Sequence, residues 1–294
     1  MSGKDKELEP VGLRNKKNDV FQMFIQRKRG RVRMMKRSEQ IHYLNEALLE
    51  EMPQYRREAG RLPQDAESQR YFLRCLMNVR EPRALSPRFL QAQDELLQAE
   101  REEKGIVHVA DLPAVPGDER IVLWQGDITR LDADAIVNAA NAQLLGCFRP
   151  GHNCIDNVIH SAAGLQLREE CASIMRAQGH EEPTGQAKIT KGYNLPAKHV
   201  LHTVGPIIEG PLTEKDRELL ASCYRSCLQL AEENRLKSVA FCCISTGVFR
   251  FPKEEAARIA VSAVRGYLEK GTIEKVIFCV HGEENLRIYQ NLLL

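Results

Sequence analysis

The first part of the chain carries apolar residues at helical spacing. The clearest examples are Ile41, Leu44, Leu48 and Met52. A period of three to four residues places these side chains on one face of a helix. Ser86 and Pro87 mark a later helix start, because serine caps free N–H groups and proline fits the first helical position. We therefore predict a small helical region over residues 38–105, with Gly105 ending its last helix.

After residue 106 the pattern changes, and short apolar runs alternate with longer helical ones. The predicted strands are 121–125, 135–139, 187–193, 200–204, 239–244 and 276–280. The predicted helices are 155–163, 166–178, 214–234, 253–269 and 285–293. Such alternation is typical of an α/β fold with helices on both faces of a mostly parallel sheet. Ligands of these folds bind at the carboxyl ends of the strands.

Charge is unevenly spread along the 294 residues, although the net charge is only +2. Residues 1–40 hold 12 Lys and Arg against 5 Asp and Glu, and seven of the eleven residues 27–37 are basic. A nucleic-acid or membrane-surface tail is one interpretation. We favour a disordered extension over residues 1–37, or sequence upstream of a start at Met34 or Met35, since no aromatic or apolar pattern accompanies the charges. We accordingly predict no nucleic-acid partner.

The nine cysteines are an odd number and are scattered through the chain. That usage favours a reducing compartment, with most of the thiols packed as small apolar side chains. No apolar run approaches the ~18 residues that span a membrane, and no secretory signal begins the sequence. These features predict a cytoplasmic protein without membrane contact, and we expect a monomer.

One loop concentrates metal-binding residues: Cys147, His152 and Cys154 lie within eight residues, with Pro150 and Gly151 between them. Thiolate and imidazole are the usual ligands of zinc, and a turn at Pro-Gly brings them together. A structural zinc normally has four protein ligands, whereas a catalytic zinc keeps one position open. The loop therefore predicts one zinc ion and a hydrolase. A cysteine nucleophile with His152 as its base is the alternative, which the missing third, orienting residue disfavours.

Three further motifs follow predicted strands. Asp127 comes directly after the strand 121–125, and a carboxylate there can accept from an amino group or merely cap its own turn. Asn138-Ala-Ala-Asn141 ends the next strand, where small residues allow a sugar to approach the backbone. Residues 245–249, Ser-Thr-Gly-Val-Phe, precede the helix that begins at Lys253, and their N–H groups suit an anion.

These motifs together resemble a known family. Gly126-Asp-Ile-Thr129, Asp134-Ala-Ile-Val-Asn-Ala-Ala-Asn141, His202-Thr-Val-Gly-Pro206 and Ser245-Thr-Gly-Val-Phe-Arg-Phe-Pro252 are similar to motifs of the macrodomain, an ADP-ribose-binding α/β/α module. The metal loop and Leu76-Met-Asn-Val-Arg80 resemble the zinc-containing microbial macrodomains, which are protein-ADP-ribose hydrolases. The resemblance implies a three-layer macrodomain with a mixed, mostly parallel sheet over residues 106–294, preceded by the helical region.

The resemblance also implies a role for each matching residue. Asp127 would accept from the adenine amino group, with the Ile128 N–H beside it, and Asn141 would contact the distal ribose. Cys147, His152 and Cys154 would hold zinc near that ribose. Backbone groups of Ile155 and Asp156 would line the ligand. The diphosphate and distal ribose would be wrapped by Ser245, Thr246, Gly247, Val248 and Phe249.

The implied activity is zinc-dependent removal of mono-ADP-ribose from modified protein side chains, a glycosidase-type hydrolysis. The catalytic residues would be Asn141, Asp156 and the three zinc ligands. Asp156 is a candidate proton acceptor, or else a first-turn carboxylate favoured by the helix dipole. Two other functions remain open: deacetylation of O-acetyl-ADP-ribose in the same pocket, and a reader that binds ADP-ribose without cleaving it. An open zinc position argues against the reader.

Overall fold

A computed structural model describes residues 35–294 of the chain. The predicted basic extension, residues 1–37, lies almost entirely outside the described residues. Residues Arg37–Leu294 belong to one unit that contains both the helical region and the α/β part. The boundary we placed between residues 105 and 106 stays a prediction.

The region 38–105 is helical, as predicted, but turns divide it. Its helices are α1 Arg37–Glu51, α2 Arg56–Ala59, α3 Ala66–Val79 and α4 Pro87–Lys104, with a 3-10 turn at Pro53–Tyr55. The predicted cap is present, since the Ser86 side chain accepts from the Phe89 N–H at 3.1 Å. Gly105 ends α4 with a φ of 76°, a left-handed value that glycine adopts without strain.

Seven strands form one sheet within the described residues: β1 Ala114–Val115, β2 Asp118–Gln125, β3 Ala135–Ala140, β4 Ala187–Lys191, β5 His199–Val204, β6 Ser238–Phe241 and β7 Lys275–Val280. Their order is β1-β2-β7-β6-β3-β5-β4. The inner pairings are parallel, and the edge strands β1 and β4 pair antiparallel. The predicted mixed, mostly parallel sheet is confirmed. The sequence pattern did not predict β1, which is too short to show a period.

Helices cover both faces of the sheet: α5 Ile155–Ala163, α6 Leu165–Gln178, α7 Glu214–Glu233, α8 Lys253–Leu268 and α9 Glu283–Leu293. Helices α7, α8 and α9 pack in succession, whereas α5 packs against α6, β3 and the helical region. This confirms the predicted three-layer arrangement. The central strands are apolar almost throughout because both of their faces are buried. Cys223 and Cys227 are fully buried, as predicted for packing cysteines.

No helix in residues 35–294 is both long and apolar enough to cross a lipid bilayer. The parallel strands β2, β3, β6 and β7 end at the same edge of the sheet, and the four loops that follow them therefore gather there. Those loops contain the candidate site residues predicted from the sequence, and α5 begins among them.

Candidate functional site

Asp127 is half-buried at the end of β2. Its Oδ1 atom accepts from the Thr129 N–H at 3.0 Å and from the Thr129 hydroxyl at 2.7 Å, which caps the 3-10 turn Ile128–Arg130. The capping interpretation of Asp127 is thus correct for one oxygen. Oδ2 takes no part in that turn, so a single carboxylate can hold its loop and still accept an amino group.

The loop 245–249 folds back on itself after β6. Ser245 has a φ of 63°, and the Phe251 N–H donates to the Ser245 carbonyl at 3.0 Å, which closes a tight turn. The Ser245 hydroxyl is buried against Gly205 and has no partner among the described residues. The N–H groups of Gly247, Val248 and Phe249 donate to no group in the described part of the chain. A run of uncommitted N–H groups is suited to an anion.

Cys147, His152 and Cys154 are brought together by the loop between β3 and α5. Their ligand atoms lie within 4.8 Å of one another, and Cys147 Sγ is 3.6 Å from His152 Nδ1. Zn–S and Zn–N bonds of ~2.3 and ~2.0 Å in a tetrahedron separate sulfur from nitrogen by about 3.5 Å, so the three residues fit zinc. Burial raises the pKa of the Cys154 thiol to about 11. That direction disfavours a metal-free nucleophile, which needs a lowered pKa.

Helix α5 begins immediately after Cys154, which is its N-cap residue and makes no side-chain cap. The first-turn N–H groups, including those of Ile155 and Asp156, therefore need another acceptor such as water or ligand oxygen. Ile155 is half-buried, and Asp156 is only 5% exposed. The metal loop and these N–H groups face the same edge of the sheet.

Asp156 binds two asparagines of strand β3 and its following loop. Its Oδ1 accepts from Asn138 Nδ2 at 2.8 Å, and its Oδ2 accepts from Asn141 Nδ2 at 3.4 Å. Asn141 also donates to the Gly146 carbonyl at 3.0 Å and accepts from the Gln143 N–H at 3.0 Å. Burial raises the pKa of Asp156 to about 6, against the opposing effect of the Asn138 hydrogen bond. The carboxylate thus fixes Asn141 beside the metal loop.

Sequence reasoning did not predict the hydrogen bonds among the buried polar residues behind this pair. Asn138 Nδ2 also donates to His202 Nδ1 at 3.2 Å, and this places the His202 proton on Nε2, which contacts Thr190 Oγ1 at 2.9 Å. Burial lowers the pKa of His202 to about 3, so the ring is neutral. His160 Nε2 lies 3.5 Å from Asp156 Oδ1, and neither of its nitrogens has a hydrogen bond among the described residues. The motif beginning at His202 was the available signal.

Several known proteins are similar to this chain in sequence. The Macro domain family profile matches residues 137–260. A protein-ADP-ribose hydrolase of Treponema medium is 52% identical over 262 residues, which cover 88% of this chain and 100% of the relative. One from Staphylococcus aureus strain MSSA476 is 48% identical over 231 residues, covering 78% of this chain and 86% of the relative.

Two solved structures are also similar. The Trypanosoma brucei macrodomain in complex with ADP-ribose is 36% identical with a TM-score of 0.59, over 72% of this chain and 92% of that one. The Oceanobacillus iheyensis macrodomain with ADP is 38% identical with a TM-score of 0.54, over 58% of this chain and 88% of that one. On this sequence similarity, together with the fold described above, the chain belongs to the macrodomain family.

Proposed function

We propose that this chain hydrolyses the bond between ADP-ribose and a modified protein side chain, using one zinc ion held by Cys147, His152 and Cys154. The observation that carries the proposal is the position of the metal loop. It leads directly into α5, whose first turn holds Asp156 against Asn141. The curated relatives that cover most of the chain bear the name protein-ADP-ribose hydrolase, which supports the same activity.

We assign the binding residues from the polar groups that have no partner at this edge of the sheet. Oδ2 of Asp127 is available for the adenine amino group, beside the Ile128 N–H. The N–H groups of the loop 245–249 are available for the diphosphate, and Val248 and Phe249 give that loop its apolar surface. ADP-ribose bound this way extends from the end of β2 toward the metal loop, and Asn141 meets its distal ribose.

The reaction adds water across the bond between the distal ribose and the acceptor side chain. The water oxygen bonds to the anomeric carbon, the bond from that carbon to the acceptor breaks, and the acceptor leaves with a proton. In this proposal Asn141 orients the ribose, while Asp156 holds Asn141 and serves as the proton acceptor for the water. When bound, zinc would lower the pKa of a coordinated water or polarise a ribose hydroxyl.

A comparison of cysteine variants tests this proposal. Cys147→Ser removes a soft ligand, and we expect loss of bound zinc together with loss of ADP-ribose release. Cys75→Ser is the matched control, since Cys75 is also a half-buried free thiol but lies outside the three-ligand cluster. Zinc content by metal analysis and release of free ADP-ribose are measured on each protein. Release by Cys147→Ser at the rate of the unmodified protein would contradict the zinc mechanism.

The same assay separates the two other functions. A reader would bind ADP-ribose tightly and leave the modified protein intact. A deacetylase would release acetate from O-acetyl-ADP-ribose faster than it releases ADP-ribose from protein. The acceptor is identified with substrates whose ADP-ribose is linked to aspartate, glutamate, serine or arginine, each assayed with zinc and with a chelator.

A further inference from the structure

Helix α3, in the N-terminal helical region, directly contacts the backbone of the metal loop, residues 147–154. Arg74 Nη2 donates to the His152 carbonyl at 2.9 Å and to Asn153 Oδ1 at 3.1 Å. One turn later in α3, Asn78 Oδ1 accepts from the Gly151 N–H at 3.0 Å. These bonds hold in place the segment that contains His152 and leads to Cys154.

A chain of side-chain hydrogen bonds joins the same asparagine to the other end of the loop. Asn78 Nδ2 donates to Ser161 Oγ at 3.1 Å, and Ser161 Oγ donates to Asn157 Oδ1 at 3.1 Å. Asn157 Nδ2 then donates to the Arg149 carbonyl at 3.1 Å and the Cys147 carbonyl at 3.4 Å. Each donor in this series has an acceptor, and all the bonds point the same way along the series. Each bond therefore polarises and strengthens the next.

The two amides of this series are buried, Asn78 at 2% exposure and Asn157 at 0%. Breaking one of their bonds would leave a polar group in a place that water cannot reach, which makes the arrangement costly to distort. Gly151 has a φ of 63°, and a Cβ there would lie 2.2 Å from the Tyr71 hydroxyl of α3. The loop and α3 are therefore in close contact at the turn between the ligands.

Arg168 of α6 fixes α3 in this place. Its Nη1 atom lies within hydrogen-bond distance of three backbone carbonyls at the end of the helix, those of Met77, Asn78 and Arg80. Its Nε donates to the Leu145 carbonyl at 2.7 Å, and its guanidinium lies 4.4 Å from the centre of the Phe148 ring. One buried cation thus joins the end of α3 to the start of the metal loop.

We propose that α3 is part of the metal site, and that Asn78 and Arg74 are positioning residues for the zinc ligands. A loop that holds three metal ligands loses conformational entropy when it becomes ordered around the ion. The contacts of α3 order the loop before the metal binds, which lowers that cost. The proposal rests on the zinc site proposed above. It gives the N-terminal helical region a role in metal binding.

The test measures zinc affinity in the full chain by competition with a chromophoric chelator. Asn78→Ala and Arg74→Ala each remove one support of the loop and no zinc ligand. We expect zinc affinity to fall at least about tenfold in each, as is usual when groups that orient metal ligands are removed. The cobalt-substituted proteins should show altered absorption bands, because the ligands no longer converge in the same geometry.

The matched controls are buried or charged residues of the same region that do not hold the loop. Asn45 is 3% exposed and hydrogen-bonds Gln69, while Arg70 of α3 pairs with Glu100. Asn45→Ala and Arg70→Ala should keep zinc affinity within about twofold of the unmodified protein. Metal-free Asn78→Ala and Asn45→Ala should melt at similar temperatures and differ only when zinc is added, which a purely structural role of Asn78 would not produce.

Three results would overturn the proposal. The first is unchanged zinc affinity in Asn78→Ala and Arg74→Ala. The second is a loss of zinc affinity in Asn45→Ala and Arg70→Ala as large as in those two variants. Either result would overturn the role of α3 and leave the proposed zinc hydrolase intact. An unmodified protein that binds no zinc would overturn both proposals. If Asn78→Ala does not fold, Ser161→Ala takes its place. It breaks the same series of hydrogen bonds at a half-buried hydroxyl, and we expect the same loss of zinc affinity.

Discussion

Asp156 is the residue on which the local geometry of the site depends. It accepts from Asn138 and Asn141, and it lies in the first turn of the helix that the metal loop enters. Its position lets one carboxylate order the Asn141 amide without belonging to the cluster of Cys147, His152 and Cys154. The favourable helix dipole also acts on it, but a dipole effect alone would not orient Asn141.

Replacing Asp156 with Ala should separate catalysis from metal binding. Two amide groups lose their acceptor and the candidate proton acceptor is gone, so we expect release of ADP-ribose to fall about 100-fold or more. Zinc content should stay near one ion per chain, since no ligand is changed. Asp118→Ala, which removes a carboxylate beside Arg120 at the far end of β2, is the control. If the rate of ADP-ribose release falls less than about threefold, Asp156 is only a first-turn carboxylate that interacts favourably with the helix dipole.

His202 predicts how stability depends on pH. Its pKa is about 6.5 unfolded and about 3 when buried, so below pH 6.5 only the unfolded chain takes up this proton. The free energy of unfolding should therefore fall as pH drops from 6.5 toward 3, by up to about 1.4 kcal/mol per pH unit from this residue.

Denaturant titrations of metal-free protein at several pH values measure that slope. His202→Gln should give a shallower slope than the unmodified chain, and the exposed His180→Gln should leave it unchanged. Equal slopes in all three proteins would show that His202 is protonated in the folded state, contrary to the burial argument. Metal-free protein is used because protonation of the zinc ligands would add its own pH dependence.

The closeness of Cys147, His152 and Cys154 could be predicted from sequence because they are neighbours in the chain, so a local turn is enough to bring their side chains within 4.8 Å of one another. Asn138 and His202 are 64 residues apart. They meet only because β3 and β5 pair in a register that sets one opposite the other. No local pattern encodes that register, and the contact between these two residues was not predicted for this reason.

At the scale of elements, the strand β6 shows the limit of hydrophobic pattern. The apolar run predicted a strand over residues 239–244, but β6 ends at Phe241. Cys242 and Ile244 are still buried, at 8% and 0% exposure. An apolar run indicates that residues are buried, and it does not distinguish a strand from a buried turn. Here the run continues into the buried turn that leads to the loop 245–249.

The loop 245–249 yields a prediction about ligand binding. A Cβ at Gly247 would meet nothing within 4 Å in the protein, so Gly247→Val should leave the melting temperature unchanged. If the loop wraps the diphosphate, the added side chain enters the ligand's space. We then expect ADP-ribose affinity, measured by calorimetry, to fall at least about tenfold.

The matched control for that loop is Gly210→Val, another exposed glycine with open space around it. It should leave both the melting temperature and the affinity unchanged. ADP-ribose binding by Gly247→Val at full strength would show that the diphosphate does not contact the loop 245–249.

At the scale of the whole molecule, the α/β order of elements was enough to predict three layers and a mostly parallel sheet. The role of the helical region was not predictable in the same way. Its amphipathic helices require a surface to cover, but their sequence does not say which one. The contacts of Arg74 and Asn78 with the metal loop, and of Arg168 with the end of α3, supply that information.

The most direct test of the account is intact-protein mass spectrometry of a mono-ADP-ribosylated protein incubated with the full chain. We predict loss of the ADP-ribose mass from the substrate, with one free ADP-ribose formed for each modification removed. A chelator should stop the loss and added zinc should restore it. Tight binding of ADP-ribose with no change in substrate mass would contradict the hydrolase, and full turnover by protein shown to contain no zinc would contradict the metal mechanism.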